Sequence, residues 1–321
     1  MKRYLRYSLW CLALCLYACN SEKKPAKQKK DSIKKEQDKP KERLSFTALK
    51  GIKFYEVKRR FSNGLSFDEQ GFQQEPSWEI EFYSNDSILA YSPQKKIWQG
   101  FHLHYDHGDV YNFAKEWFRI KYAGKDSLVF QRLHVTNKEI AKDIRSDVNI
   151  TYYSKDYIQN VLKADLKKLQ QATYADTLFI QKLSLRSNRN PASRDSAFAA
   201  RQPVVFQPLS KIIRVEKLSM VDELKGRTVS FDYLYPRYRI QISNAYKDFA
   251  HDFMAVVDQH GKIHLSNILG ILPEDYEVKK KVIDGIIEVY LQNLLKITPG
   301  TTLNMPHSSE INLIVTGREK R

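Results

Sequence analysis

The chain has 321 residues, 53 Lys and Arg against 37 Asp and Glu, and a formal net charge of +16, with 42% hydrophobic residues. Its three cysteines, Cys11, Cys15 and Cys19, all lie at the N-terminal end, so disulfides, cysteine-ligated zinc and thiol catalysis are excluded from everything downstream. The positive charge does not imply nucleic acid. It is concentrated in the Lys-rich stretch before residue 44 and elsewhere neighbours acids, as in Lys115-Glu116, Lys138-Glu139 and Lys142-Asp143; such a surface suits anionic headgroups or acidic glycans.

Lys2, Arg3 and Arg6 precede the apolar run Leu9-Trp10-Cys11-Leu12-Ala13-Leu14-Cys15-Leu16-Tyr17-Ala18. About ten residues make a signal-peptide core, whereas a spanning helix needs about 20. The run ends in Leu16-Tyr17-Ala18-Cys19, which resembles the lipobox of bacterial lipoproteins: a Leu, a tolerated residue, a small residue at the scissile bond, and the lipidated cysteine. Tyr17 is bulkier than the usual residue there. The resemblance implies a signal peptide over residues 1–18, cleavage before Cys19, and a membrane anchor of diacylglyceryl and acyl (palmitate) chains on Cys19. Residues 19–43 then read as a Lys-rich disordered tether with no aromatic residue and one large aliphatic, Ile33, too little to offset the entropy of ordering. Asn20 is not the acidic residue that retains some lipoproteins at the inner membrane, and Lys23-Lys24 lacks the acidity associated with surface export. The expected address is the cell envelope, at the outer membrane facing the periplasm.

Residues 44–153 read as a β-rich domain. Trp78-Glu79-Ile80-Glu81-Phe82-Tyr83 alternates apolar and polar, Asn85-Asp86-Ser87 turns, and Ile88-Leu89-Ala90-Tyr91 continues to Pro93. Glu116 to Tyr122 alternates again, and Ala123-Gly124-Lys125-Asp126 turns into Ser127 to Leu133. Short strands at hairpin spacing predict an antiparallel barrel or sandwich, loosely lipocalin-like. Residues 154–230 read as a connecting segment: a helix capped by Ser154 with Tyr157, Ile158, Val161, Leu162, Leu166 and Leu169 at helical spacing through Gln171, an exposed loop from Asn188 to Pro208, and a strand over residues 212–218.

Residues 231–321 form the last domain. Phe253 to Ile263 predicts a hairpin turning at Asp258-Gln259-His260-Gly261. A helix with Val278, Val282, Ile283, Ile286, Tyr290, Leu294 and Leu295 on its apolar face starts after Pro273 and stops at Thr298-Pro299-Gly300. Glu310 to Val315 is the closing strand. This order resembles the C-terminal domain of TonB-type proteins over roughly residues 235–315, with Leu295 and Ile297 where family members usually carry Pro and Trp. The resemblance implies a ββαβ fold and an overall α+β class. It does not extend to energy transduction, which needs an N-terminal transmembrane helix where this chain has a cleavable signal.

Catalytic templates are absent: the chain has no Gly-x-Ser-x-Gly, no Gly-rich phosphate loop and no His-Glu-x-x-His. His102, His104 and His107 are the one metal candidate, because two imidazoles share a strand face and a turn could add the third or Asp106. Tyr233, Tyr235 and Tyr238, around Pro236 and Arg237, are candidate glycan-stacking or partner-binding aromatics. The expected function is a non-catalytic, membrane-anchored envelope lipoprotein that binds another envelope protein or a cell-wall component, with no cofactor and no nucleic-acid partner. The alternatives are a lipid-anchored metal-dependent hydrolase using the histidine cluster and a carrier of an apolar ligand inside the N-terminal β-domain.

Overall fold

The computed structural model describes residues 43–93, 95–221 and 231–320; the signal peptide, Cys19 and the tether up to residue 42 lie outside the described residues. Alternating polarity builds nine strands in the first half: β1 (Lys53–Phe61), β2 (Glu79–Ser84), β3 (Ser87–Ser92), β4 (Ile97–His102), β5 (His104–His107), β6 (Val110–Phe113), β7 (Glu116–Ala123), β8 (Ser127–Leu133) and β9 (Val148–Ser154). They form one antiparallel sheet in the order β4-β3-β2-β1-β9-β8-β7-β6-β5. Its first and last strands pair, with Phe54 opposite Ser154 and Arg59 opposite Ile150. Its two edges, β4 and β5, are consecutive in the chain and separated by Leu103 alone, which is buried and donates its N–H to the Asp86 carbonyl at 2.8 Å. The sheet is therefore a nearly closed barrel.

Inward positions, every second residue along each strand, carry Phe54, Ile80, Phe82, Phe118, Phe130 and Tyr152, each no more than 2% exposed. Phe46, just before β1, stacks on Phe82 with centroids 4.4 Å apart. The interior is filled by its own side chains, so the carrier of an apolar ligand gains no support. A bulge between Glu56 and Lys58 turns the Glu56 carboxylate into the protein. There it accepts from Arg59 Nε and Nη2 at 2.6 and 3.0 Å and from the N–H groups of Ser77 and Trp78 at 3.0 and 2.9 Å, a buried charge fully paired.

The connecting segment departs from expectation. Tyr157 N–H does donate to Ser154 Oγ at 3.2 Å, but the helix stops at Val161 and resumes only over Leu166–Leu169. Lys163 at φ 48° interrupts it, and Val161 and Leu162 are exposed. The long helix is α1 (Tyr174–Arg189), opened by a capping box in which Thr173 accepts from Asp176 N–H and the Asp176 carboxylate accepts from Thr173 N–H. The loop expected to be exposed after Asn188 instead carries Phe198, Ala200 and Val204, all at most 3% exposed. It packs between the barrel and the second sheet.

In the second half, β10 (Val205–Pro208) pairs with β15 (Leu295–Thr298). A five-stranded sheet holds β11 (Ile213–Leu218), β12 (Arg237–Ala245), β13 (Phe249–Val257), β14 (Ile263–Ile268) and β16 (Ser309–Glu319), in the order β11-β12-β16-β13-β14. β12 and β16 run parallel, and the other neighbours antiparallel. The β13–β14 turn closes on Gly261 at φ +80°, where a Cβ would lie 2.7 Å from the Ile297 carbonyl. Helix α2 (Tyr276–Ile286) continues through a wider turn over Ile287–Leu291 and buries Ile283, Ile286, Ile287 and Leu291 against one sheet face. Val278, assigned from spacing to that face, is 68% exposed, because it stands about 140° round the helix from Ile283, on the same outer side as exposed Val289. Strand, turn, strand, helix and strand follow in the expected order, within a mostly β protein. Among the described residues, no helix is long and apolar enough to cross a membrane.

Candidate functional site

On β12 the residues Tyr238, Ile240 and Ile242 face α2, as do Ile311, Leu313 and Val315 on β16. Arg237, Glu310 and Asn312 therefore stand on the opposite face. Arg237 is registered against Asn312, and Asn312 against Met254 of β13. This face is the floor of a groove of about 940 Å³, walled by the turn at residues 68–72 and by the segment 194–199. The wall depends on Gly71: at φ +86° its Cβ position lies 2.3 Å from the Ala199 carbonyl, so only glycine permits the approach. Ala199 N–H donates to the Gln70 carbonyl at 2.9 Å and locks the two segments together.

The floor is a hydrogen-bonded trio. Arg237 Nη2 donates to Asp252 Oδ2 at 2.9 Å, and Asn312 Nδ2 donates to Asp252 Oδ1 at 2.7 Å. Arg237 Nε and Asn312 Oδ1 are buried without a partner. Unpaired buried polar atoms are uncommon, and each costs about 1–3 kcal/mol; here a donor and an acceptor lie on neighbouring strands under the groove. Along the rim, Arg194 Nε donates to Glu310 Oε2 at 3.1 Å and Ser266 Oγ to Glu310 Oε1 at 2.9 Å. Burial raises the Asp68 carboxyl above its ordinary range although it accepts from the Gln70 and Phe72 N–H groups. Phe72, Leu234, Met254 and Leu269 add apolar lining. The site offers paired charges, an amide and an apolar strip, the lining of a binding groove.

The residues singled out in the sequence are distributed differently. His102 and His104 are exposed on the two edge strands of the barrel with ring centroids 6.1 Å apart. His107 lies at the far end of β5, where its Nδ1 bonds Asp106 Oδ2 at 2.5 Å. The turn does not bring the third imidazole back to the pair. Among the described residues, no three His, Cys, Asp or Glu gather as a metal set. The tyrosines do not form a platform either. Tyr233 is 5% exposed, accepts from Gln73 N–H at 2.9 Å and lies under the Arg201 guanidinium. Tyr238 is 2% exposed and donates to the Val204 carbonyl, and burial holds its phenol well above the usual range. Tyr235 alone of the three is exposed, on the groove wall.

Behind the groove, His307 is fully buried and stacks at 3.6 Å on Phe198, which lines the groove. Its Nδ1 donates to the Ser308 carbonyl at 3.1 Å and its Nε2 accepts from Thr302 Oγ1 at 3.0 Å. Desolvation lowers its pKa to about 4, against about 6.5 in an unfolded chain. The unfolded state therefore binds the proton first. The contribution of His307 to stability is complete above about pH 6.5 and falls as pH drops toward 4, by about 2 kcal/mol at pH 5. Urea titrations between pH 7.5 and 5 should show this loss, and His307→Gln should flatten it; an unchanged slope in the variant would place the titration elsewhere.

The groove draws on segments near residues 68, 194, 237, 254 and 312, a constellation with no local spelling; only the strand alternation that turns Arg237 and Asn312 to one side was available as a signal. No protein-family model matches the chain, and no curated protein is significantly similar to it.

Proposed function

We propose that the protein is a lipid-anchored, non-catalytic binding protein of the bacterial cell envelope, which takes another envelope protein or a cell-wall component in the groove over Arg237, Asp252 and Asn312. The observation that carries the binding reading is that groove, with a donor and an acceptor unpaired at its floor and an apolar strip beside them. Leu16-Tyr17-Ala18-Cys19 supports the anchor, and the outer membrane facing the periplasm remains the proposed address. The strand-turn-strand-helix-strand order supports a TonB-type fold for the C-terminal sheet and α2, with Leu295 and Ile297 as departures; the transducer role is not proposed. The metal-dependent hydrolase finds no support in the separated His102, His104 and His107.

Two measurements test this reading. Cys19→Ala should yield an uncleaved precursor that incorporates no labelled fatty acid; a variant still cut and labelled would refute the anchor. A photocrosslinking residue at Tyr235 should give a discrete adduct in intact cells, or retain the chain on isolated cell wall. The same probe at Tyr122, exposed on the barrel, should not. Met254→Arg, which fills the groove floor, should abolish the Tyr235 signal. Equal labelling at both positions, insensitive to Met254→Arg, would refute the groove as the site.

A further inference from the structure

Helix α1 is apolar on two sides. Its inner side buries Ile180 and Leu183 against Phe67 and Phe198. On its outer side Tyr174 is 78%, Leu178 47% and Leu185 55% exposed. These three stand at i, i+4 and i+11, the spacing of one continuous stripe along about 16 Å of helix. A single exposed leucine needs no explanation, but a surface helix normally presents a polar outer face. Beside the stripe runs a second groove of about 800 Å³, lined by Leu178, Lys182, Leu185, Arg186 and Arg189, with Glu69 at its margin. Three cations face one carboxylate, and that carboxylate is taken by Arg186 at 3.5 Å. Glu69 and Arg186 also line the first groove, so the two adjoin.

We propose that this stripe docks an acidic amphipathic helix of a partner protein, its leucines on Leu178 and Leu185 and its carboxylates on Lys182 and Arg189. Charge selects the occupant. The chain's own residues 20–43, dominated by lysine, would be repelled. The groove beside the stripe accepts a ridge of side chains, the form in which a partner helix presents its leucines, and an anionic bilayer is the occupant that the test below separates from it. The proposal stands on α1 alone and does not depend on the ligand of the first groove.

The test uses the full chain in neutral detergent and a synthetic amphipathic helix of about 18 residues with leucines on one face flanked by Glu. Three controls accompany it: a scrambled peptide, a version with Lys for Glu, and vesicles of phosphatidylglycerol and phosphatidylethanolamine. The Glu peptide should bind, the scrambled one at least tenfold more weakly. Leu178→Asp with Leu185→Asp should cost at least tenfold at an unchanged melting temperature. Lys182→Glu with Arg189→Glu should lose the Glu peptide and gain the Lys peptide. This swap keeps the result interpretable should the leucine variant fold poorly. Equal binding of Glu and scrambled peptides, or no gain on charge swap, overturns the proposal. So does uptake by vesicles that depends on Leu178 and Leu185 while the peptides stay free.

Discussion

Ile286→Asp should unfold the C-terminal sheet. Ile286 is 2% exposed and packs with Ile283, Ile287 and Leu291 against β12, β13 and β16. An aspartate there is packed among apolar side chains, so it must either remain charged in an apolar contact or fold protonated. Both cost several kcal/mol, on top of the lost apolar burial. A domain's whole margin is about 5–15 kcal/mol, so urea unfolding should show loss of most of it. Val278→Asp on the same helix is the control. It is 68% exposed in the first turn, where a negative charge meets the positive helix end, and should change stability by less than about 0.5 kcal/mol. Equal damage from the two substitutions would mean that α2 packs in another register. Any isolated fragment used for this measurement must begin upstream of Val205, since β10 and β11 pair with β15 and β12.

Asp176→Ala should cost about 3–5 kcal/mol, the loss expected when one partner of a buried ion pair is removed. Asp176 is fully buried at the start of α1 and accepts from Ser66 N–H at 2.7 Å, Thr173 N–H at 2.7 Å, Thr173 Oγ1 at 2.8 Å and Arg60 Nη1 at 2.8 Å. Truncation removes the Asp176 half of the capping box and leaves the Arg60 guanidinium facing an apolar side chain. Burial works to raise the Asp176 carboxyl, but those donors outweigh it and its pKa is lowered. Its contribution is therefore present above the ordinary carboxylate pKa and disappears as pH falls below it. Arg60→Met in the Asp176→Ala background should recover part of the loss, since it removes the orphaned charge. A loss under about 1 kcal/mol for Asp176→Ala would show that solvent, not the protein, satisfies Arg60.

β2, β3, β7 and β8 are legible in the sequence because each buries one face, and a half-buried strand writes its environment as alternation. The Gly261 turn is legible because it depends on backbone chemistry within a few residues, whereas the helix expected to run to Pro299-Gly300 ends at Leu294, and Leu295, assigned from spacing to its apolar face, opens β15, which pairs with β10. Helix α1 is not legible by periodicity, since Tyr174, Leu178 and Leu185 blur its polar face while Asp176, Ser184 and Ser187 are buried; only the Thr173 and Asp176 pair, three residues apart at its start, signals it. The apparent helix after Ser154 has the right spacing but sends Val161 and Leu162 to solvent, so tertiary packing overrode the pattern. The groove escaped reading for another reason: its polar floor looks like the solvent face of two ordinary strands until Gly71 and Ala199 bring a wall over it.

The barrel closes where β1 meets β9, strands roughly 90 residues apart in the chain, whereas its unbonded seam lies between immediate neighbours, β4 and β5. The pairings from β2 to β4 and from β5 to β8 are local hairpins and form cheaply, and β1 reaches β2 across residues 62–78, but the ring is completed by a contact whose loop-closure entropy is the largest in the domain. During synthesis, β1 presents an unpaired edge until Ser154 has emerged, and β8 presents another. A chain cut short before Val148 therefore exposes two adhesive strand edges at once, not one missing strand, and its fate would be association with other chains through Lys53–Phe61 and Ser127–Leu133.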